Sequence, residues 1–312
     1  MNVILLFPGQ GSQKPGMGKD LADAFPAART VFEEADRDLG FALSSLCFEG
    51  PESELTSTQN AQPALLAHGA AAWALVREKV APHVSAAAGH SLGEFTAYHA
   101  AGTFSLRDAL RVVRRRGELM FQSGVDRPGA MAAILGLDEE HVEEACRRAS
   151  ESVGVVVPAN YNTPGQLVIS GEVAAVERAM VLSREAGARR AIRLKVSGAF
   201  HSPLMDVARD GLASTLEKTD AADPAFPVYS NVCADAVRDA ATACDLLISQ
   251  LTSPVRWTEL VRGMVRDFPE PLFLELGPGS VLANLVHRIV PGAEVLGCGT
   301  VDEVELVLQR FG

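Results

Sequence analysis

The chain has 312 residues, 47% of them hydrophobic and 21% charged, with a formal net charge of −11. That length and composition predict a globular protein with a large core, built as one big domain or two. The acidic balance disfavours nucleic acid as a partner, and no uncharged apolar run of about 18 residues exists to cross a membrane.

The stretch from Met1 to Pro8 lacks a basic segment and reads as a first strand, not a signal peptide. The five cysteines (Cys47, Cys146, Cys233, Cys244 and Cys298) are scattered, without a C-x-x-C pair. This predicts a reducing, cytoplasmic setting and neither a zinc site nor a disulfide frame.

Val3 to Phe7 predicts a buried strand, followed by the glycine-rich Pro8-Gly9-Gln10-Gly11-Ser12-Gln13. The loop lacks the Lys-Ser/Thr of a P-loop. It is either a plain turn or a site loop at the carboxyl end of a strand, where open α/β sheets place their ligands. Helices are expected over about 18–24, 26–39 and 61–80, with His68 and Trp73 as core or helix-surface residues.

Val84 to Ala88 reads as a short buried strand and Leu92 to Ala101 as a helix. Between them, Gly89-His90-Ser91-Leu92-Gly93 spells G-x-S-x-G. A strand, this sequence and a helix make the context of a nucleophile elbow. Gly89 and Gly93 leave room where a Cβ would collide, and Ser91 is raised above the sheet. The alternative is a serine that only caps the helix.

A helix over 105–122 carries Leu106, Ala109, Leu110, Val113, Gly117 and Met120 as one apolar stripe. Arg111 and Arg115 fall opposite it, in solvent; Arg116 falls on its flank. A cation so placed needs an anion. Either a protein carboxylate pairs with it or its fork grips a substrate carboxylate.

After a turn-rich break at 124–129 the pattern changes. Strands are expected at 130–135, 153–160, 166–170 and 189–196, with helices at 138–150 and 173–186. This β-α-β-β-α-β order is ferredoxin-like. It predicts a small domain, 127–196, inserted into a large domain formed by 1–126 and 197–312. Asn160 to Gly165 reads as a hairpin loop whose polar groups close a turn or line a cleft.

Ser197 returns the chain to the large domain. A helix over 204–217 follows, with Ser202 as N-cap and Pro203 as its first residue. Strands at 226–230, 272–276 and 295–296 alternate with helices at 241–251, 256–267 and 280–289 and a terminal helix. The alternation predicts an α/β fold with a mainly parallel sheet.

A serine hydroxyl needs a base. Of seven histidines, His99 and His287 hold ordinary helix positions. His141 opens a charged helix, His83 sits in a loop, and His90 packs under the turn. His201 stands in a loop of small residues before a capped helix, after the domain crossover. No Asp or Glu stands out as a third member; a carbonyl oxygen can orient the imidazole instead.

These residues resemble the malonyl-CoA:acyl carrier protein transacylases and the related acyltransferase domains of polyketide synthases. The likeness runs from Phe7 to about Gly299. It is carried by Phe7-Pro8-Gly9-Gln10-Gly11-Ser12-Gln13, Gly89-His90-Ser91-Leu92-Gly93-Glu94, Arg116-Gly117 and Gly129-Ala130-Met131-Ala132-Ala133. Further along come Asn162-Thr163-Pro164-Gly165-Gln166, Gly198-Ala199-Phe200-His201-Ser202, Gln250-Leu251, Pro254-Val255-Arg256-Trp257 and Glu275-Leu276-Gly277-Pro278-Gly279. Phe121 departs from the pattern, which often has Gln there.

The resemblance implies a hydrolase-like α/β domain with a ferredoxin-like insert. It implies that Ser91 takes the acyl group, with His201 as base and then acid, oriented by the Gln250 backbone carbonyl. The amides of Gln10 and Leu92 would form the oxyanion hole, and Arg116 would pair with the malonyl carboxylate. Phe200 resembles the malonyl-selecting version, and Asn162 falls among the substrate-binding positions. No cofactor or metal is implied; malonyl-CoA is a substrate and acyl carrier protein the partner, for a monomer. Fatty-acid and polyketide loading both fit, and a hydrolase could use the same elbow. An acidic carrier protein calls for a basic face: Arg184, Arg189, Arg190, Arg193 and Lys195 are candidates, as are Arg111, Arg114 and Arg115.

Overall fold

The computed structural model describes residues 1–196 and 198–312. Ser197, the expected point of return to the large domain, lies outside the described residues. The strands are β1 Val3–Phe7, β2 Val84–Gly89, β3 Gly129–Leu135, β4 Val156–Thr163, β5 Gln166–Glu172, β6 Arg190–Arg193, β7 Val228–Tyr229, β8 Ala236–Val237, β9 Leu272–Glu275 and β10 Glu294–Gly297.

Six strands form one sheet in the order β10-β9-β1-β2-β7-β8. All neighbours are parallel except β7 and β8. β1 is buried at all five positions, as a strand covered on both faces must be. Alternate residues serve opposite cores. Ile4 and Leu6 join Trp257, Met264 and Leu282 on one face. Val3, Leu5 and Phe7 join Leu66, Ala70 and Phe95 on the other.

The other four strands form an antiparallel sheet, β4-β5-β3-β6. Between them run helices Glu139–Ser152 and Val173–Glu185. On β3, Ala130, Ala132 and Ile134 face those helices, while Met131 faces the main core. Period-two alternation therefore feeds two cores from one strand. The small sheet is also tied to the segment at Val255 and to helix Val281–Ile289. Tyr161 N–H donates to the Val255 carbonyl at 2.9 Å, Val255 N–H to Ala159 at 2.8 Å, and Arg288 Nη1 to Gln166 Oε1 at 2.7 Å.

Several expected boundaries move. Asn160 to Thr163 are strand residues, because β4 keeps pairing with β5 through Tyr161–Leu167 and Thr163–Gln166. Only Pro164-Gly165 form the turn. The arginine helix spans Leu106–Asp126 and passes through Gly124, packed by the buried Ser123. The break is Arg127-Pro128. The segment expected as one helix over 204–217 is a 3₁₀ stretch, Pro203–Ala208, followed by an α-helix, Arg209–Leu216. Ser202 caps it through the Leu204 N–H, as expected. β6 is four residues long, shorter than expected, and helices Leu43–Glu49 and Glu52–Leu55 had no signal strong enough to register.

Candidate active site

β2 ends at Gly89 and helix Leu92–Ala100 begins three residues on, with His90 and Ser91 in between. Ser91, between them, has φ 52° and ψ −107°, a conformation that L residues seldom adopt. The bend is pressed against β1. A Cβ on Gly89 would lie 1.8 Å from the Gly93 carbonyl carbon, and one on Gly93 would lie 1.9 Å from the Phe7 oxygen. Only glycine fits at either position.

His201 also has a positive φ, 56°, and its Nε2 lies 2.8 Å from Ser91 Oγ. Its Nδ1 lies 2.9 Å from the Gln250 carbonyl and 3.2 Å from that of Ser253. Carbonyls only accept, so Nδ1 carries the proton and Nε2 is left to accept from the serine hydroxyl. Burial pushes the imidazole pKa down to about 3, with the Arg116 charge adding to it and the carbonyls opposing. The ring is therefore a neutral acceptor.

Arg116 is 1% exposed. Its Nη1 donates to Gln62 Oε1 at 2.8 Å. Its Nη2 donates to Gln250 Oε1 at 2.8 Å and to Ser91 Oγ at 3.2 Å. Among the described residues no carboxylate lies within 4.0 Å of it. The protein salt bridge weighed for Arg116 therefore has no partner. Burial draws its pKa down to about 10, against the pull of Glu94. Glu94 is fully buried; its Oε2 accepts Gln250 Nε2 at 2.6 Å and the Asn231 N–H at 3.1 Å. Burial outweighs those bonds and raises its carboxyl to about 7.

A cleft of about 280 Å³ opens over Ser91, lined by Gln10, Leu92, Arg116, Asn162, Phe200 and His201 among others. As the first residue of its helix, Leu92 has an amide with no intrahelical acceptor. The Gln10 side chain donates to Thr58 Oγ1, at 3.3 Å. Asn162 Oδ1 accepts from His90 Nε2 at 2.9 Å, and the His90 ring lies 5.5 Å from that of Trp257. All of the expected site residues except Gln250 line this cleft. Gln250 is fully buried, with its carbonyl 2.9 Å from His201 Nδ1 and its side-chain oxygen accepting from Arg116 Nη2 at 2.8 Å.

Four contributors had no sequence signal of their own. Glu94 hid inside the elbow motif, and Gln62 within an apolar helical stretch. Asn231 belongs to none of the quoted motifs, and only the backbone of Gln250 was expected to act. Phe121, the departure from the family pattern, is 36% exposed and outside the cleft lining. Of the basic candidates, Arg193 pairs with Glu177 at 3.0 Å, and Arg114 and Arg115 with Glu118 at 2.8 and 3.5 Å. Arg111, Arg189, Arg190 and Lys195 are exposed.

The chain belongs to the acyl transferase domain family, which matches residues 4–299. Among relatives, the malonyl CoA-acyl carrier protein transacylase of Bacillus subtilis is 44% identical over 99% of this chain and 97% of its own. The solved acyl-carrier-protein S-malonyltransferase of Bartonella henselae superposes with a TM-score of 0.96 at 42% identity, covering 100% of both chains. A malonyl-transacylase solved with its type II polyketide synthase acyl-carrier protein superposes at 0.95, with 41% identity over 99% of this chain and 100% of that one.

Proposed function

We propose that this chain is an [acyl-carrier-protein] S-malonyltransferase. It moves malonyl from coenzyme A to the phosphopantetheine thiol of an acyl carrier protein, through a malonyl-Ser91 intermediate. The reading rests above all on Arg116, a buried guanidinium with only neutral partners, 3.2 Å from Ser91 Oγ. A diacid places a carboxylate there while its thioester carbon meets the hydroxyl.

Ser91 Oγ attacks the thioester carbonyl and its proton passes to His201 Nε2. The amides of Gln10 and Leu92 receive the negative charge on the carbonyl oxygen. The carbon–sulfur bond breaks and His201 returns the proton to the leaving sulfur. The carrier-protein thiol then reverses the sequence: it gives its proton to His201, attacks malonyl-Ser91, and Ser91 recovers the proton. The Gln250 carbonyl keeps the imidazole in the required tautomer. Phe200 and Asn162 shape the pocket for malonyl. The cycle requires no cofactor.

The same reading takes residues 127–196 as a ferredoxin-like subdomain inserted into a hydrolase-like domain of 1–126 and 197–312, with the cleft between them. The enzyme works as a cytoplasmic monomer, in fatty acid biosynthesis. No helix among the described residues is long and apolar enough to cross a membrane. Loading of polyketide carrier proteins is the second reading, favoured by the likeness to a transacylase solved with such a partner.

The test is mass spectrometry of the protein mixed with malonyl-CoA, acetyl-CoA or methylmalonyl-CoA. Malonyl-CoA should add a malonyl mass on the peptide holding Ser91, and holo carrier protein should remove it. A stable malonyl-enzyme that carrier protein cannot discharge, or one that water discharges at once, would overturn the transferase reading.

A further inference from the structure

The bend carrying Ser91 is gripped by a residue outside the family motifs quoted above. Asn231 follows β7 and is fully buried. Its Oδ1 accepts the Ser91 N–H at 2.7 Å and its Nδ2 donates to the Gly89 carbonyl at 2.7 Å. Its own N–H donates to Glu94 Oε2 at 3.1 Å. On the other side, Gln250 Nε2 donates to the Ser91 carbonyl at 3.0 Å and to the same Glu94 oxygen at 2.6 Å. Both peptide groups flanking Ser91 are therefore fixed, and one buried carboxyl anchors both residues that fix them.

We propose that Asn231 is a positioning residue for acyl transfer: it clamps Ser91 in its positive-φ conformation and so keeps Oγ on His201 Nε2. Such a conformation is strained and persists only where the surroundings over-determine it. An asparagine amide suits the task, because it offers one acceptor and one donor and spans the Ser91 N–H and the Gly89 carbonyl together. Truncation removes both of these bonds. The bend then relaxes, and Oγ leaves its position 2.8 Å from the imidazole. Glu94 Oε2 accepts from Gln250 Nε2 and so fixes which way that amide points, and it holds Asn231 by its backbone N–H.

The inference rests on Ser91 being the acylated hydroxyl. The test uses the full chain as wild type, Ser91→Ala, Asn231→Ala and Asn231→Asp, with malonyl-CoA and with acetyl-CoA. Mass spectrometry gives the acylatable fraction, and rapid quenching gives the single-turnover rate per acylatable site. Asn231→Ala should react about 10- to 100-fold more slowly per site with both acyl groups. Its malonyl-to-acetyl ratio should stay within about twofold of wild type, because the clamp acts on the nucleophile and not on Arg116.

Asn231→Asp keeps the acceptor for Ser91 but turns an anion toward the Gly89 carbonyl. A proton restores the donor, and burial beside Glu94 favours that proton. Its rate relative to wild type should therefore climb as pH is lowered. An Asn231→Ala rate per site within about twofold of wild type, or a loss confined to malonyl, overturns the proposal. If Asn231→Ala does not fold, Asn231→Asp decides alone: a pH profile parallel to wild type overturns it. If wild type takes no acyl group, or Ser91→Ala takes one, the functional reading falls and this inference with it. With those two controls in order, the Asn231 variants judge the clamp alone.

Discussion

Arg116 spends its hydrogen bonds on two glutamine oxygens and a hydroxyl. A buried cation facing only neutral groups keeps most of its desolvation cost, so a ligand carboxylate entering the cleft gains more there than it would at the surface. On the proposed reading, truncating the side chain removes a charge-assisted bond to malonyl that acetyl cannot make. Arg116→Ala should therefore lower kcat/KM for malonyl-CoA by about 2–3 kcal/mol beyond any loss for acetyl-CoA, roughly 30- to 150-fold. Steady-state rates with both donors check this, and equal losses would count against a carboxylate grip. The position of Arg116 was legible because helical spacing put it on the flank of an apolar stripe, where a charge needs a reason. Gln62 was not legible: a glutamine on a buried helix carries no sign of what it faces.

At the scale of elements, the elbow is set by backbone contact. Helix Leu92–Ala100 starts close enough to β1 that a Gly93 Cβ would sit 1.9 Å from the Phe7 carbonyl oxygen. The oxygen belongs to backbone, a Cβ is bonded directly to backbone, and β1 is paired on both sides, so neither can yield. Gly93→Ala must lift the helix from the sheet. It should destabilise the fold by about 1–3 kcal/mol or more, as overpacking of tight cores does. Urea denaturation of the variant beside wild type measures this; an unchanged midpoint would mean that the contact is looser than described.

The elbow could be read from sequence because G-x-S-x-G stands between a short apolar strand and a helix, the context of that tight turn. β4 could not. Asn160, Asn162, Thr163, Pro164 and Gly165 have turn chemistry, and strand pairing with β5 overrides it as far as Thr163. That override is what carries Asn160 and Asn162 along the wall of the cleft.

Across the whole molecule, the two ends of the chain close over its middle. His68 is fully buried on helix Thr58–Val80. It lies 3.1 Å from where a Cβ on Gly18 would stand and 3.5 Å from one on Gly299. Burial lowers its pKa from 6.5 to about 4, outweighing the attraction of Asp20. The folded chain therefore holds His68 neutral, while the unfolded chain protonates it below its ordinary value. Protons then favour unfolding: the stability tied to this ring is complete above pH 6.5 and is lost as pH falls towards about 4. The full difference is roughly 3 kcal/mol for a shift of this size. His201 pulls in the same direction over a wider range. Urea midpoints measured down this pH range should fall for wild type, and His68→Gln, which cannot titrate, should fall less steeply. An identical slope in the two proteins would show that His68 is already protonated in the fold, and that its enclosure between the chain ends is not the acid-sensitive point.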